Sequence, residues 1–158
     1  MSSQTMVKQP GKIYILQLLV IIILMFVFQL FGINNSVVYA ATTYLFVAII
    51  LRIKLLAPHK RGMDYYRKSE YDKAIIEFQR SFDFFWKYSW IDKYRYVTLL
   101  SSQVSYIEMA LLNMAFCYGQ LGNKEMAKQL YIKTLSLFPS CEMAKEALKT
   151  IDAIKVKK

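Results

Sequence analysis

From Ile13 to Leu51 the chain carries no charged residue, whereas residues 52–158 hold 19 Lys and Arg and all 11 Asp and Glu. That asymmetry constrains the fold more than any other feature. A long uncharged stretch cannot face water along its whole length, and a lipid bilayer accepts it only as a helix or closed barrel, in which every backbone polar group finds an internal partner. The sequence therefore predicts two regimes in one chain: a membrane-embedded third and a water-facing remainder.

"IYILQLLVIIILMFVFQLF" (13–31) is 19 residues long with two Gln as its polar interruptions. As a helix it spans about 28 Å, close to the ~30 Å hydrocarbon core of a bilayer. "GINNS" (32–36) follows and reads as a turn, because Gly and Asn tolerate the backbone conformations that turns require. A second apolar run over about 37–56 extends past Arg52 and Lys54 if these two snorkel their charged ends to the interface. The expected N-terminal architecture is a segment over 1–12 and then a two-helix transmembrane hairpin over 13–56. A cleaved leader ending at Val38-Tyr39-Ala40 is the competing reading. An apolar leader core is typically ~7–15 residues, so a longer run followed by a second one favours spans. Lys8 and Lys12 precede the first span, Arg52, Lys54, Lys60 and Arg61 follow the second, and the turn has no basic residue. By the positive-inside rule both termini are expected in the cytoplasm.

The formal net charge of +10 admits nucleic acid, anionic lipid or an acidic protein as partner. No nucleic-acid recognition motif accompanies it, and the basic surplus flanks the apolar third, so lipid headgroups come first and nucleic acid is not expected. Cys117 and Cys141 lack CxxC spacing and read as reduced, buried thiols. His59, the single histidine, has no nucleophile or metal set beside it and reads as an interfacial or helix-surface residue. No Gly-rich phosphate loop, HExxH or GxSxG is present, so neither catalysis nor a cofactor is expected.

Downstream, "AFCYGQLGNKEMAKQLYIKTLSLFP" (115–139) has a distinctive spacing. Tyr118 precedes Ala127 by nine residues, Tyr131 follows Ala127 by four, and Pro139 follows Tyr131 by eight. This pattern resembles the tetratricopeptide repeat, a helix–turn–helix unit of about 34 residues. Leu111, Met114 and Ala115 stand where that family has its Trp, Leu and Gly, while Thr134 replaces a second small Ala. Gly62, Tyr65, Ala74 and Phe78 repeat the spacing of Ala115, Tyr118, Ala127 and Tyr131 in a degenerate copy. There Arg61 occupies the Leu position, Ser69 the turn Gly and Trp86 the Pro. Corresponding residues lie 53 apart, so 19 residues are inserted between the hairpins. The resemblance implies repeats over about 58–87 and 108–141, an insertion over about 86–107 and a capping helix over about 141–154. Pro58 is expected to break or kink the chain where the span gives way to this 58–158 domain.

In the insertion, Ser89-x-x-Asp92 suggests a short helix over about 90–100, and Ser105-x-x-Glu108 is a capping-box pattern opening the next helix. After Pro139, Met143, Ala147, Leu148, Ile151 and Ile154 fall on one helix face. Residues 82–96 carry eight aromatics, Phe82, Phe84, Phe85, Trp86, Tyr88, Trp90, Tyr94 and Tyr96, interleaved with Lys87, Lys93 and Arg95. Core packing is the favoured account, with membrane-surface contact second and base stacking third.

The resemblance also implies a partner groove on the inner face of each first helix. Position by position it comprises His59, Met63, Tyr66 and Arg67 in the first repeat. In the second it comprises Met109, Leu112, Phe116, Gly119 and Gln120, with Asn113 beside them. Such an apolar, Met-containing groove suits a hydrophobic or amphipathic helix of another protein, although the same residues also serve as simple core. Arg52, Lys54, Lys60, Arg61, Trp86 and Trp90 are the candidate membrane-surface contacts. The sequence thus predicts an all-α integral membrane protein that holds a partner protein at the bilayer. The open alternatives are a structural subunit contacting partners through its spans, where Gln17, Gln29, Thr42 and Thr43 hydrogen-bond across helices, and a membrane-resident inhibitor or immunity protein. Partner identity, self-association and oligomeric state stay open.

Overall fold

A computed structural model describes residues 12–95, 102 and 104–156. All regular structure among the described residues is α-helical: α1 Lys12–Leu30, α2 Ser36–Arg67, α3 Tyr71–Lys87, α4 Ser89–Lys93, α5 Tyr106–Gln120, α6 Lys124–Leu137 and α7 Glu142–Val156. The chain divides into two compact units, Met1–Leu55 with Tyr94–Gln103, and Leu56–Lys93 with Val104–Lys158. The N-terminal segment, Tyr96 and the later part of the expected 90–100 helix lie outside the described residues.

In the first unit, α1 ends in a Schellman turn. Gly32, in the left-handed region at φ +70°, donates its N–H to Gln29 O at 3.0 Å, and Ile33 donates to Phe28 O at 3.2 Å. Asn35, at φ +62°, then supplies the carbonyl that accepts the Val38 and Tyr39 N–H groups and opens α2. Gly and Asn are the residues that occupy this region most cheaply, so the turn sits where the sequence placed it. The Phe28 ring meets that of Tyr39 at 6.4 Å, bringing the end of α1 against the start of α2. Ile22, Phe26 and Leu30 on α1 and Leu45, Phe46, Ile49 and Ile53 on α2 are all exposed. Among the described residues, one helix, Ser36–Arg67, is long and apolar enough to cross a membrane, and Gln17–Leu30 is a shorter apolar helix.

Of the break or kink expected at Pro58, the break is absent: α2 continues through it as one helix. Proline deprives the Lys54 carbonyl of its usual i+4 donor, at a cost of about 3 kcal/mol in a helix interior. Packing offsets that cost, because Leu56 on one side of the proline and Gly62 on the other are both buried. The domain boundary accordingly falls between Leu55 and Leu56, inside the helix.

The second unit repeats one turn twice. After α2, Lys68 N–H bonds to Asp64 O, Ser69 to Tyr66 O, Glu70 to Tyr65 O and Ala74 to Glu70 O. After α5 the same four bonds recur 53 residues later, from Leu121 to Cys117, Gly122 to Gly119, Asn123 to Tyr118 and Ala127 to Asn123. Both are Schellman turns with the left-handed residue at the corresponding place, Ser69 at φ +59° and Gly122 at φ +80°. The small residues lie at the helix contacts, since Ala74, Ala115 and Ala127 are all buried. A Cβ on Gly62 would stand 2.7 Å from the buried Phe78 ring, so α2 and α3 touch there as only glycine permits.

Arg61 donates from Nε to buried Glu77 Oε2 at 2.8 Å, and Arg80 engages the other carboxylate oxygen. The corresponding positions in the second copy hold Met114 and Leu130. One crossing is ionic where its counterpart is apolar.

The insertion departs from expectation. Its helix α4 is five residues long and begins at Ser89, which therefore does not cap it. Asp92 instead turns its buried carboxylate to the start of α5, accepting the Ser105 hydroxyl and, at 2.8 Å, the Tyr106 N–H. Ser105 is the N-cap its pattern predicts, accepting from Ile107 N–H at 3.2 Å and Glu108 N–H at 3.4 Å. A carboxylate at a helix N-terminus also meets the positive end of the helix dipole. In α7, Ala147, Leu148 and Ile151 pack on the core around Ala115, Ala127 and Tyr131 as expected, together with Cys141 and Ala144. Met143 does not join them; it is 59 % exposed. The Ile154 side chain lies outside the described residues.

The two turns generate a paired prediction. A non-glycine residue in the left-handed region costs about 1 kcal/mol, so Ser69→Gly stabilises the full-length protein by that amount and Gly122→Ala destabilises it by a similar one. Chemical denaturation in detergent micelles measures both, and changes of the same sign would show that the two turns differ.

Candidate functional site: an apolar groove

On α5, Leu112, Asn113 and Phe116 fall within one turn of each other. On α7, Met143, Glu146, Ala147 and Thr150 recur at the i, i+3, i+4 and i+7 spacing that makes a single face. These seven residues, with Tyr66 from the last turns of α2 and Tyr131 from α6, line a cavity of about 360 Å³. That volume is at the small end of the range for ligand pockets and suits a few apolar side chains of a partner. Tyr66 and Phe116 meet edge to face at 5.4 Å, and Tyr71 supports Tyr66 from α3 at 6.1 Å. Asn113 donates through Nδ2 to the Met63 sulfur at 3.7 Å, which fixes the amide against α2. Phe116 is 40 % exposed, so its ring is presented rather than buried. Glu146 is the one formally charged residue among those lining the cavity.

The structure brings together four of the expected groove residues: Tyr66, Leu112, Asn113 and Phe116. Met63 lies beneath them, held by Asn113. Met109 is half-buried outside the lining, and Gly119 and Gln120 are exposed at the far end of α5. Arg67 is exposed and reaches Asp64 at 3.5 Å. His59 is half-buried. It lies outside the cavity lining, with its ring against Phe78 at 5.6 Å and Tyr106 at 5.7 Å, and its Nδ1 has no hydrogen-bond partner among the described residues. Sequence reasoning missed Tyr131 and the whole α7 wall. Met143 and Ala147 belong to the apolar stripe that the sequence shows, and Glu146 and Thr150 extend it at the same helical spacing into the cavity wall.

Of the candidate membrane-surface residues, Arg52, Lys54, Lys60, Trp86 and Trp90 are exposed, while Arg61 is engaged by Glu77. Core packing holds for Phe82 and Phe85, the latter stacked on Tyr106 at 4.8 Å, but not for the two tryptophans. Cys117 and Cys141 are free and buried, and burial pushes both thiols up to about 11, so they are protonated at neutral pH. Among the described residues no group of three or more His, Cys, Asp or Glu side chains is placed to hold a metal ion. Comparison with known proteins finds no family model that matches the chain, no similar curated protein and no matching solved structure.

Burial lowers the pKa of His59 below the ordinary histidine value. The folded state therefore binds this proton less readily than the unfolded chain. The associated stability is fully present above the unfolded value near ~6.5 and is lost as pH falls toward the folded one. Denaturation midpoints of the full-length protein fall over that interval, and His59→Leu removes that part of the slope. A midpoint that rises on acidification would contradict the buried placement.

Proposed function

We propose that this protein is a membrane-tethered protein-interaction module: a helical hairpin with spans over about 13–31 and 37–56 carries a cytoplasmic tetratricopeptide-like domain that holds a partner protein at the bilayer. The observation that carries the reading is the groove itself. Its walls come from the end of α2 and from α5, the helices that precede the two repeated turns, and from α7, and four of its lining residues are those expected in a partner groove from the sequence. The repeated Schellman turns and buried alanines support the two-repeat assignment, and the exposed apolar faces of α1 and α2 support the tether. An amphipathic helix is the ligand class that fits. Its apolar face meets Tyr66, Leu112, Phe116 and Met143, and a Lys or Arg on its flank meets Glu146.

A photoreactive phenylalanine analogue at Phe116 in the full-length membrane protein therefore cross-links a discrete partner. The same group at Ile132, exposed on α6 and absent from the groove lining, does not. Phe116→Asp abolishes partner co-purification with at least a tenfold loss, about 1.4 kcal/mol, as expected for a charge placed in an apolar contact. Equal cross-linking at the two sites, or retention of the partner by the Asp variant, would remove the groove from the account.

A further inference from the structure

Between Phe82 and Lys93 the aromatic side chains separate into two groups. Phe82 and Phe85 enter the core, whereas Trp86, Tyr88 and Trp90 are 53 %, 38 % and 59 % exposed. One exposed ring is ordinary, but three within five residues form a patch. The ammonium groups around it are placed on the rings. Phe82 stacks on Trp86 at 5.6 Å, Lys133 of α6 stands 4.6 Å over Phe82, and Lys87 stands 5.5 Å over Tyr88. Lys93 is exposed one turn beyond Trp90. Of the two carboxylates in this segment, Asp92 is buried against Ser105 and Tyr106, while exposed Asp83, one turn before Trp86, accepts from Gln79 Nε2 at 2.8 Å; with Lys87, Lys93 and Lys133 the exposed charge around the rings is net positive.

The register of α3 against α2 sets the level of this patch. Gly62 meets Phe78, Arg61 meets Glu77 and Tyr66 meets Tyr71, so the two helices run antiparallel. Leu56 lies six residues before Gly62, about 9 Å along α2, and Trp86 lies eight residues after Phe78, about 12 Å along α3 in the same direction. Trp86 and α4 therefore stand at the Leu56 end of the unit, the end at which α2 leaves the bilayer in the tether reading.

We propose that Trp86, Lys87, Tyr88, Trp90, Lys93 and Lys133 form a docking surface for the interface of an anionic phospholipid bilayer. Indole and phenol rings settle at headgroup depth with the apolar body inward, and lysine stems lie along the rings while their charges reach the phosphates. The membrane is the occupant favoured over an acidic protein because exposed indole and phenol rings accompany the lysines, the patch stands at the Leu56 end of its own unit, where the chain continues from the uncharged stretch, and the proposed tether supplies lipid at high effective concentration. The inference rests on the tether reading and adds to it a second contact that restrains the domain on the surface.

Trp86 and Trp90 are the only tryptophans in the chain, so intrinsic emission reports on this patch alone. The full-length protein is reconstituted into phosphatidylcholine vesicles with and without phosphatidylglycerol, each carrying a headgroup-depth nitroxide lipid. Docking predicts nitroxide quenching and loss of iodide access in the phosphatidylglycerol vesicles, weakened by salt, and weakened about fivefold in the docked-to-free ratio for each of Lys87→Gln, Lys93→Gln and Lys133→Gln. Emission that remains iodide-accessible and nitroxide-insensitive in anionic vesicles overturns the proposal, whether the patch is then bare or shaped for an acidic protein. An alkaline carbonate wash separates the two failures. Protein that stays with the floated vesicles keeps the tether reading whatever the emission shows, and protein that is stripped loses it.

Discussion

The missing side chain at Gly62 lets α2 lie directly on the Phe78 ring, where a methyl group would stand 2.7 Å away. Much of the second unit follows from that clearance. It fixes the register of α3, which places Glu77 within reach of Arg61 and sets His59, one turn before Gly62, against Phe78 as well. Two turns later the same register delivers Phe85 to stack on Tyr106 at the start of α5. From there α5 repeats the device with Ala115 against α6, and the core around Ala115 and Ala127 receives α7. Small residues at crossings act here through geometry: close packing loses dispersion contacts over any gap and admits no added methylene without strain.

The two copies of the hairpin show which parts of this arrangement are backbone and which are negotiable. The four hydrogen bonds of the turn recur unchanged although Ser69 replaces glycine in the left-handed position. At the crossing, by contrast, Arg61 and Glu77 replace the Met114 and Leu130 of the other copy. A partly buried ion pair stabilises little once desolvation is counted, but removing one partner leaves a buried charge unpaired. Glu77 is therefore held to its arginines once it is present, and the first copy keeps its geometry despite a side-chain pattern that is hard to recognise.

What was legible in the sequence was what repeats or what is extreme. The uncharged stretch, the Gly32–Asn35 turn, the 53-residue offset and Ser105 as a cap all have counterparts in the structure. Local rules failed where a distant contact outweighed them. Pro58 reads as a break, yet α2 continues because Leu56 and Gly62 are packed on either side. Asp92 reads as serving its own short helix, yet its carboxylate answers the stronger demand of α5's unpaired N–H groups. His59 looked like a surface residue because its aromatic neighbours come from α3 and α5, far along the chain. Half of the groove was legible from the first-helix positions. Its α7 wall was not, since Met143 and Ala147 read as a stripe facing the core, and nothing local to α7 shows that Glu146 and Thr150 turn toward α5.

The two units ask for different solvents. In the proposed reading, exposed Ile, Leu and Phe along α1 and the first part of α2 face hydrocarbon, where a helix needs no further partner for its backbone, while the second unit surrounds an apolar groove with charged surface. A single helix, Ser36–Arg67, runs from the first unit into the second. The account stands or falls on which parts of the chain lie on which side of the bilayer. Reporter fusions after Lys12, after Asn35 and at Lys158 decide it: the account predicts cytoplasmic signals at the first and last and an external signal at Asn35. A cytoplasmic signal at Asn35, or an external one at Lys158, would contradict it.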